Sequence, residues 1–154
     1  MLLEVTEYLN SLESQRAKIF SVLESAPVES WNWTPTGDET NSLFVLATHV
    51  IGAEHGWFFE IIGGGAQTRN RPTEFLARGD SLDALRAEYE RVANETRAIF
   101  EKLTEQDLTG TRYRESHGDV SVRWIILHII EHDSEHLGQM ELTRQLWEDS
   151  KIVQ

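Results

Sequence analysis

The stretch WIILHIIEHDSEHLGQM, running from Trp124 to Met140, carries three of the chain's six histidines, at positions i, i+4 and i+8. On a helix a four-residue step stacks side chains on one face, with Cβ atoms about 5–6 Å apart, near enough for two imidazoles to share a cation. Eight residues is too far. At about 1.5 Å per residue His128 and His136 stand about 12 Å apart along the axis, a span that Zn–N bonds of about 2.0–2.1 Å do not bridge. A metal on this helix therefore takes His128 with His132, or His132 with His136. Val122, Ile125, Ile129, Met140 and Trp147 follow 3/4 spacing and mark the face expected to be buried. His136 falls near the middle of that stripe, His132 at its edge and His128 further round, towards Trp124. The preferred ligand pair is His132 and His136.

Catalytic divalent sites usually take three protein ligands and leave one position for water or substrate. Of the other histidines, His49 and His55 lie in a strong helical pattern and His117 does not. Relative to His49, the residues at i+3, i+4 and i+7 are Gly52, Ala53 and Gly56, so His49 faces along a furrow almost free of side chains. Each glycine gives up about 0.8–1 kcal/mol of helix propensity. The furrow therefore predicts either a second element packed close to it or room for something bound beside His49. His55 points about 120° away from His49 and reads as structural or surface. His117, in a polar loop, reads as solvated.

Composition narrows the chemistry. The 154 residues predict one domain, 1–154, with 40% apolar and 26% charged residues and a net charge of −12. With no cysteine, metal chemistry falls to His, Asp and Glu. An acidic chain whose fourteen basic residues form no run is a poor match for a phosphate backbone, so no nucleic-acid partner is expected. No apolar run approaches the ~18 residues of a membrane span, and the first residues carry Glu4 and Glu7 where a signal peptide would be basic. A cytoplasmic protein without a membrane partner is the expectation.

Periodicity predicts four long helices. The first runs from about Leu3 to Ser25, with Arg16 in its apolar stripe, its stem along the core and its head reaching water or a carboxylate, or else lining a pocket. A loop with Trp31 and Trp33 follows, read as a lid over the end of the core. Asn41 or Ser42 caps the second helix, which runs to about Ile62 before Gly63-Gly64-Gly65. Residues 63–80 form a long loop with a short helical turn at Thr73–Leu76. Ser81 starts the third helix, whose stripe is Leu85, Tyr89, Val92, Thr96, Ile99 and Leu103. Residues 104–119 form a second long loop with some extended backbone, and Ser121 caps the last helix, which ends near Trp147. This is an all-α, up-down four-helix bundle with long loops between helices 2 and 3 and between helices 3 and 4, long enough for crossovers.

Three motifs in this order resemble the DinB-like (YfiT/DUF664) four-helix-bundle superfamily: Trp33-x-Pro35, then Asn41-Ser42 leading to His49, then Trp124-x3-His128-x3-His132-x3-His136-x-Gly138-Gln139. The resemblance covers almost the whole chain. It implies a divalent metal, zinc or nickel, held by one histidine of the second helix and two of the fourth, which map onto His49, His132 and His136. It also implies a small-molecule substrate, a low-molecular-weight thiol as a partner in some relatives, and a homodimer. Characterised relatives include metal-dependent hydrolases and thiol transferases. The chain departs from the pattern in the extra His128 and in Leu137, where relatives commonly carry a basic residue.

The expected function is a metal-dependent hydrolase or thiol S-transferase acting on a small molecule. The alternative is a non-catalytic metal-binding, sensing or structural bundle. No general base follows from spacing: Glu54, Glu131, Asp133 and Glu135 lie on the ligand helices but none is forced towards the metal. Gln139 or one of these carboxylates could instead orient a ligand imidazole.

Overall fold

The computed structural model describes residues 1–152; the last two residues of the single-domain reading, 153 and 154, lie outside the described residues. In chain order the elements are α1 (Leu3–Ser25), α2 (Leu43–Glu54), α3 (Arg71–Glu74), α4 (Asp83–Phe100), α5 (Glu105–Thr109), β1 (Thr111–Arg114), β2 (Gly118–Ser121) and α6 (Val122–Ile152). The four long helices form an all-α bundle, and the two strands pair as an antiparallel hairpin between α5 and α6. Among the described residues no helix is long and apolar enough to cross a membrane.

The core divides into two apolar clusters. One holds Val5 and Leu12 of α1, Phe58, Phe100, and Ile125 and Ile129 of α6. The other holds Ile19 and Leu23 of α1, Leu46 and Val50 of α2, Tyr89 of α4 and Met140 of α6. Each long helix contributes to both, and at the boundary each places a buried polar residue: Arg16, Glu54, Thr96 and Asp133. The order of the clusters along the chain gives the helix directions. Helices α1 and α6 run from the first cluster to the second, whereas α2 and α4 run the other way. The α2–α4 connection is therefore a crossover that must travel back along the bundle, and this brings residues 63–80 past the α2 face on which His49 lies.

The boundary residues form a buried polar layer. Arg16 Nε donates to Glu54 Oε2 at 2.9 Å and its Nη2 to Glu54 Oε1, while Thr96 donates to the same carboxylate at 2.5 Å. Of the two roles open to Arg16, the structure selects the stem along the core and the head on a carboxylate. Arg16 Nη1, Asp133 Oδ2 and Gln15 Oε1 are buried without a protein partner.

Local signals set most of the helix ends. Ser42, rather than Asn41, caps α2, its hydroxyl accepting from the Val45 N–H at 3.2 Å. Ser121 accepts from the Trp124 N–H at the start of α6, and Ser81 accepts from the Asp83 N–H at the start of α4. Trp31 is buried and donates from Nε1 to the carbonyls of Leu23 and Ala26, closing the end of the core as its loop position suggested.

Four expectations are corrected. The second helix does reach Ile62, but its last part, His55–Ile62, has π-helical bonding, whose wider turn packs His55, Trp57, Phe58 and Ile62 inward together. The short turn in the crossover lies at Arg71–Glu74, starting with Pro72 in its first turn, not at Thr73–Leu76. The last helix continues past Trp147 to Ile152, and Trp147 is only half-buried. Its deepest central slot belongs to Asp133 at 0% exposure, not to His136, which is half-buried beside it. Buried residues of a helix that touches α1, α2 and the π-helical segment spread around its circumference, so a single 3/4 stripe understates the buried arc.

Candidate metal centre

The structure brings His49 of α2 together with His132 and His136 of α6. His132 Nε2 lies 3.2 Å from His49 Nε2 and 3.2 Å from His136 Nε2, and the three residues each offer a nitrogen within 4.8 Å of the others. His49 is buried and the other two are half-buried.

The outward nitrogens decide what the inward ones can do. Glu74 Oε2 accepts from His49 Nδ1 at 2.7 Å, Asp133 Oδ1 from His132 Nδ1 at 3.3 Å, and Gln139 Oε1 from His136 Nδ1 at 2.8 Å. Each acceptor places the ring proton on Nδ1 and leaves the Nε2 lone pair facing the other two. Protonating the inward side is unfavourable: burial, then the neighbouring His136 and His49, lower the His132 pKa to about 3, and burial also lowers that of His136. Three lone pairs converging without a proton suit a cation. Tetrahedral Zn–N bonds of about 2.0–2.1 Å hold two nitrogens about 3.3 Å apart, close to the spacing here. The donor set, three neutral imidazoles, could accordingly hold a borderline divalent ion.

Glu74 and its support are the residues that sequence reasoning missed. Arg69 grips the Glu74 carboxylate with Nε to Oε1 at 2.7 Å and Nη2 to Oε2 at 2.9 Å. Burial pushes the Glu74 pKa up, but the hydrogen bonds from Arg69 and His49 outweigh it and leave the group below its ordinary value, ionised and acceptor-only. Both side chains come from the crossover and lie in the furrow. A Cβ on Gly52 would collide with the Glu74 carboxylate, and one on Gly56 would sit 2.7 Å from Arg69 Cδ. The furrow is thus filled by the chain's own arginine–glutamate pair. The signal for it was available: a glycine furrow beside His49, with a loop long enough to fold back over it.

The remaining candidates stand apart. His128 stacks on Trp124 at 4.7 Å with the rings nearly parallel, and its centroid is 6.3 Å from that of His132. His117 is exposed but not merely solvated, because its ring packs against Trp57, Trp124 and His128 at 5.2–5.5 Å. His55 is buried and structural, bonded to Glu95 and Thr68 and stacked on Phe59. Glu54 faces Arg16 in the core, and Glu131 and Glu135 are exposed. Among the carboxylates weighed as a base, only Asp133 touches the triad, on its outer side.

A family model for mycothiol-S-transferase matches residues 8–149. No curated protein matches the chain. Among solved structures, a conserved protein from Enterococcus faecalis aligns with a TM-score of 0.77 at 13% identity, covering 95% of this chain and 98% of that one, and so shares the fold. The order of the motifs, the bundle and the family match agree, and the chain belongs to the mycothiol-S-transferase family, within the DinB/YfiT-like superfamily.

Proposed function

We propose that this protein is a metal-dependent thiol S-transferase, in which His49, His132 and His136 would hold a divalent cation, zinc or nickel, and the sulfur of a low-molecular-weight thiol displaces a leaving group from an electrophilic carbon of a small molecule, the C–S bond forming as the bond to the leaving group breaks and the thiol proton passing to solvent. The observation that carries the reading is the orientation of the three rings. Every Nδ1 is tied to an outer acceptor and every Nε2 faces the shared centre. A bound divalent cation would lower the pKa of a coordinated thiol from about 8.5, so that the thiolate is present at neutral pH.

The chain's own residues do the rest. Three neutral imidazoles would leave a bound cation its full charge, available to stabilise a thiolate. Glu74, braced by Arg69, fixes the tautomer and tilt of His49, while Gln139 and Asp133 do the same for His136 and His132. The family match supports thiol transfer over hydrolysis, and so does the placement of carboxylates. Glu74 is committed to His49 and Arg69, and Asp133 is fully buried on the outer side of His132, so neither faces the centre to activate a water there, whereas a thiol needs only a lowered pKa. The homodimer expected from the resemblance is part of this proposal and is checked by sedimentation velocity.

Elemental analysis of protein purified without an affinity tag, beside His49→Ala and His132→Ala, tests the centre. About one ion per chain, lost in both variants, is expected on a three-histidine site. Failure of the wild type to take up zinc or nickel after incubation with either would overturn the proposal. With the metal established, consumption of a low-molecular-weight thiol in the presence of an alkylating or arylating electrophile, dependent on the metal, separates a transferase from a non-catalytic metal site.

A further inference from the structure

Arg114 plays no part in the centre described above. It projects from β1, its guanidinium lies 4.1 Å from the centroid of the Trp57 ring, and its Nη1 is buried without a partner. Burial and the like charge of Arg69 act against its charged form and outweigh the opposing pull of Glu60 and Glu74. An arginine in a protein does not release its proton, so what such a group lacks is an acceptor.

A cavity of about 520 Å³ opens between the crossover and the hairpin, bordered by Arg69, Arg71 and Arg114. Arg69 is occupied by Glu74. Arg71 lies 4.8 Å from the Phe75 centroid, and neither it nor Arg114 joins an ion pair among the described residues. Two carboxylates share the rim. Glu60 Oε1 already accepts from the main-chain N–H groups of Thr68 and Arg69 at 2.6 and 2.7 Å, and Glu115 is exposed at the turn of the hairpin.

Both walls of the cavity lead to the triad through one or two side chains. On one side Phe75, under Arg71, packs on His49 at 4.9 Å, and Arg69 holds Glu74 against the same histidine. On the other, Trp57, under Arg114, packs on His128 at 5.5 Å, which neighbours His132. We infer that Arg71 and Arg114 form an oxyanion-binding subsite for a carboxylate or phosphate group of the small molecule handled at the triad. The anion site stands on the two arginines alone; its assignment to the substrate rests on the proposed function.

The test uses metal-free full-length protein, with sulfate standing for a phosphate group and acetate for a carboxylate, followed through the arginine side-chain resonances by NMR. Saturable shifts of Arg71 and Arg114 are expected, with affinity about tenfold weaker in Arg71→Gln and in Arg114→Gln, as for the loss of one charge-assisted contact. Preference for sulfate or acetate identifies which group the subsite takes. Zinc affinity is expected to be unchanged in Arg71→Gln, because Arg71 is exposed and bonds to none of the three histidines. The absence of saturable shifts, or unaltered anion affinity in Arg71→Gln, would overturn the inference whatever the metal does. Anion binding lost in the variants of a protein that takes up no metal would instead sustain the subsite and remove the proposed function.

Discussion

Gly52→Ala sets two effects of opposite sign against each other. In a helix interior, alanine is favoured over glycine by about 0.8–1 kcal/mol, so propensity alone makes the variant more stable. At this position, however, the new methyl collides with the Glu74 carboxylate. The far end of a glutamate usually moves cheaply, but this one accepts two bonds from Arg69 and one from His49, all between 2.7 and 2.9 Å. Hydrogen bonds to charged groups contribute about 1.5–3 kcal/mol each, so displacing the carboxylate from even one partner cancels the helix gain. If the lost partner is His49, metal affinity falls by about 10–100-fold, which is about 1.4–2.8 kcal/mol. Urea unfolding of the metal-free protein and competition with a chromophoric chelator read the two quantities separately. The expected outcome is a metal-free protein no more stable than wild type, together with the affinity loss. A variant that is more stable and binds zinc within twofold of wild type would refute the reasoning, because the furrow would then have no function in holding Glu74 on His49.

Glu74→Gln keeps the shape of that contact but removes its charge, and a loss of zinc affinity of about tenfold, with Arg69→Gln behaving alike, is expected by chelator competition. His128→Ala should leave zinc stoichiometry intact while His136→Ala abolishes it; the reverse result in elemental analysis would move the ligand pair one turn along α6, to His128 and His132. Stability of the metal-free protein should depend on pH through His132, whose folded pKa of about 3 lies below its ordinary 6.5. Below about 6.5 the unfolded chain binds a proton that the folded chain refuses, so stability is full above that pH and declines as pH falls towards 3; a flat urea midpoint between pH 7 and 5 would contradict this. Arg16→Met alone should cost about 3–5 kcal/mol by stranding buried Glu54, whereas Arg16→Met with Glu54→Leu should recover most of the loss in the same unfolding assay.

Much of this protein is determined by the sequence alone, because helices report themselves locally. The apolar spacing and the serines at 42, 81 and 121 located the long helices, since side-chain periodicity and capping depend on residues a few positions apart. The i, i+4 step of His132 and His136 belongs to the same class of information, and the small residues after His49 marked which face of α2 had something to accommodate. Tertiary structure decided what lies between distant segments. Which residue would fill the furrow could not be read from spacing, because Glu74 reaches His49 only through a crossover whose path depends on α2 and α4 running in the same direction. The depth of Asp133 and the half-exposure of His136 depend on how many neighbours surround α6. The unpartnered Nη1 of Arg114 arises only where a hairpin and a loop, more than thirty residues apart in the chain, border the same cavity. Electrostatics and burial are properties of the assembled surroundings, and no local pattern encodes them.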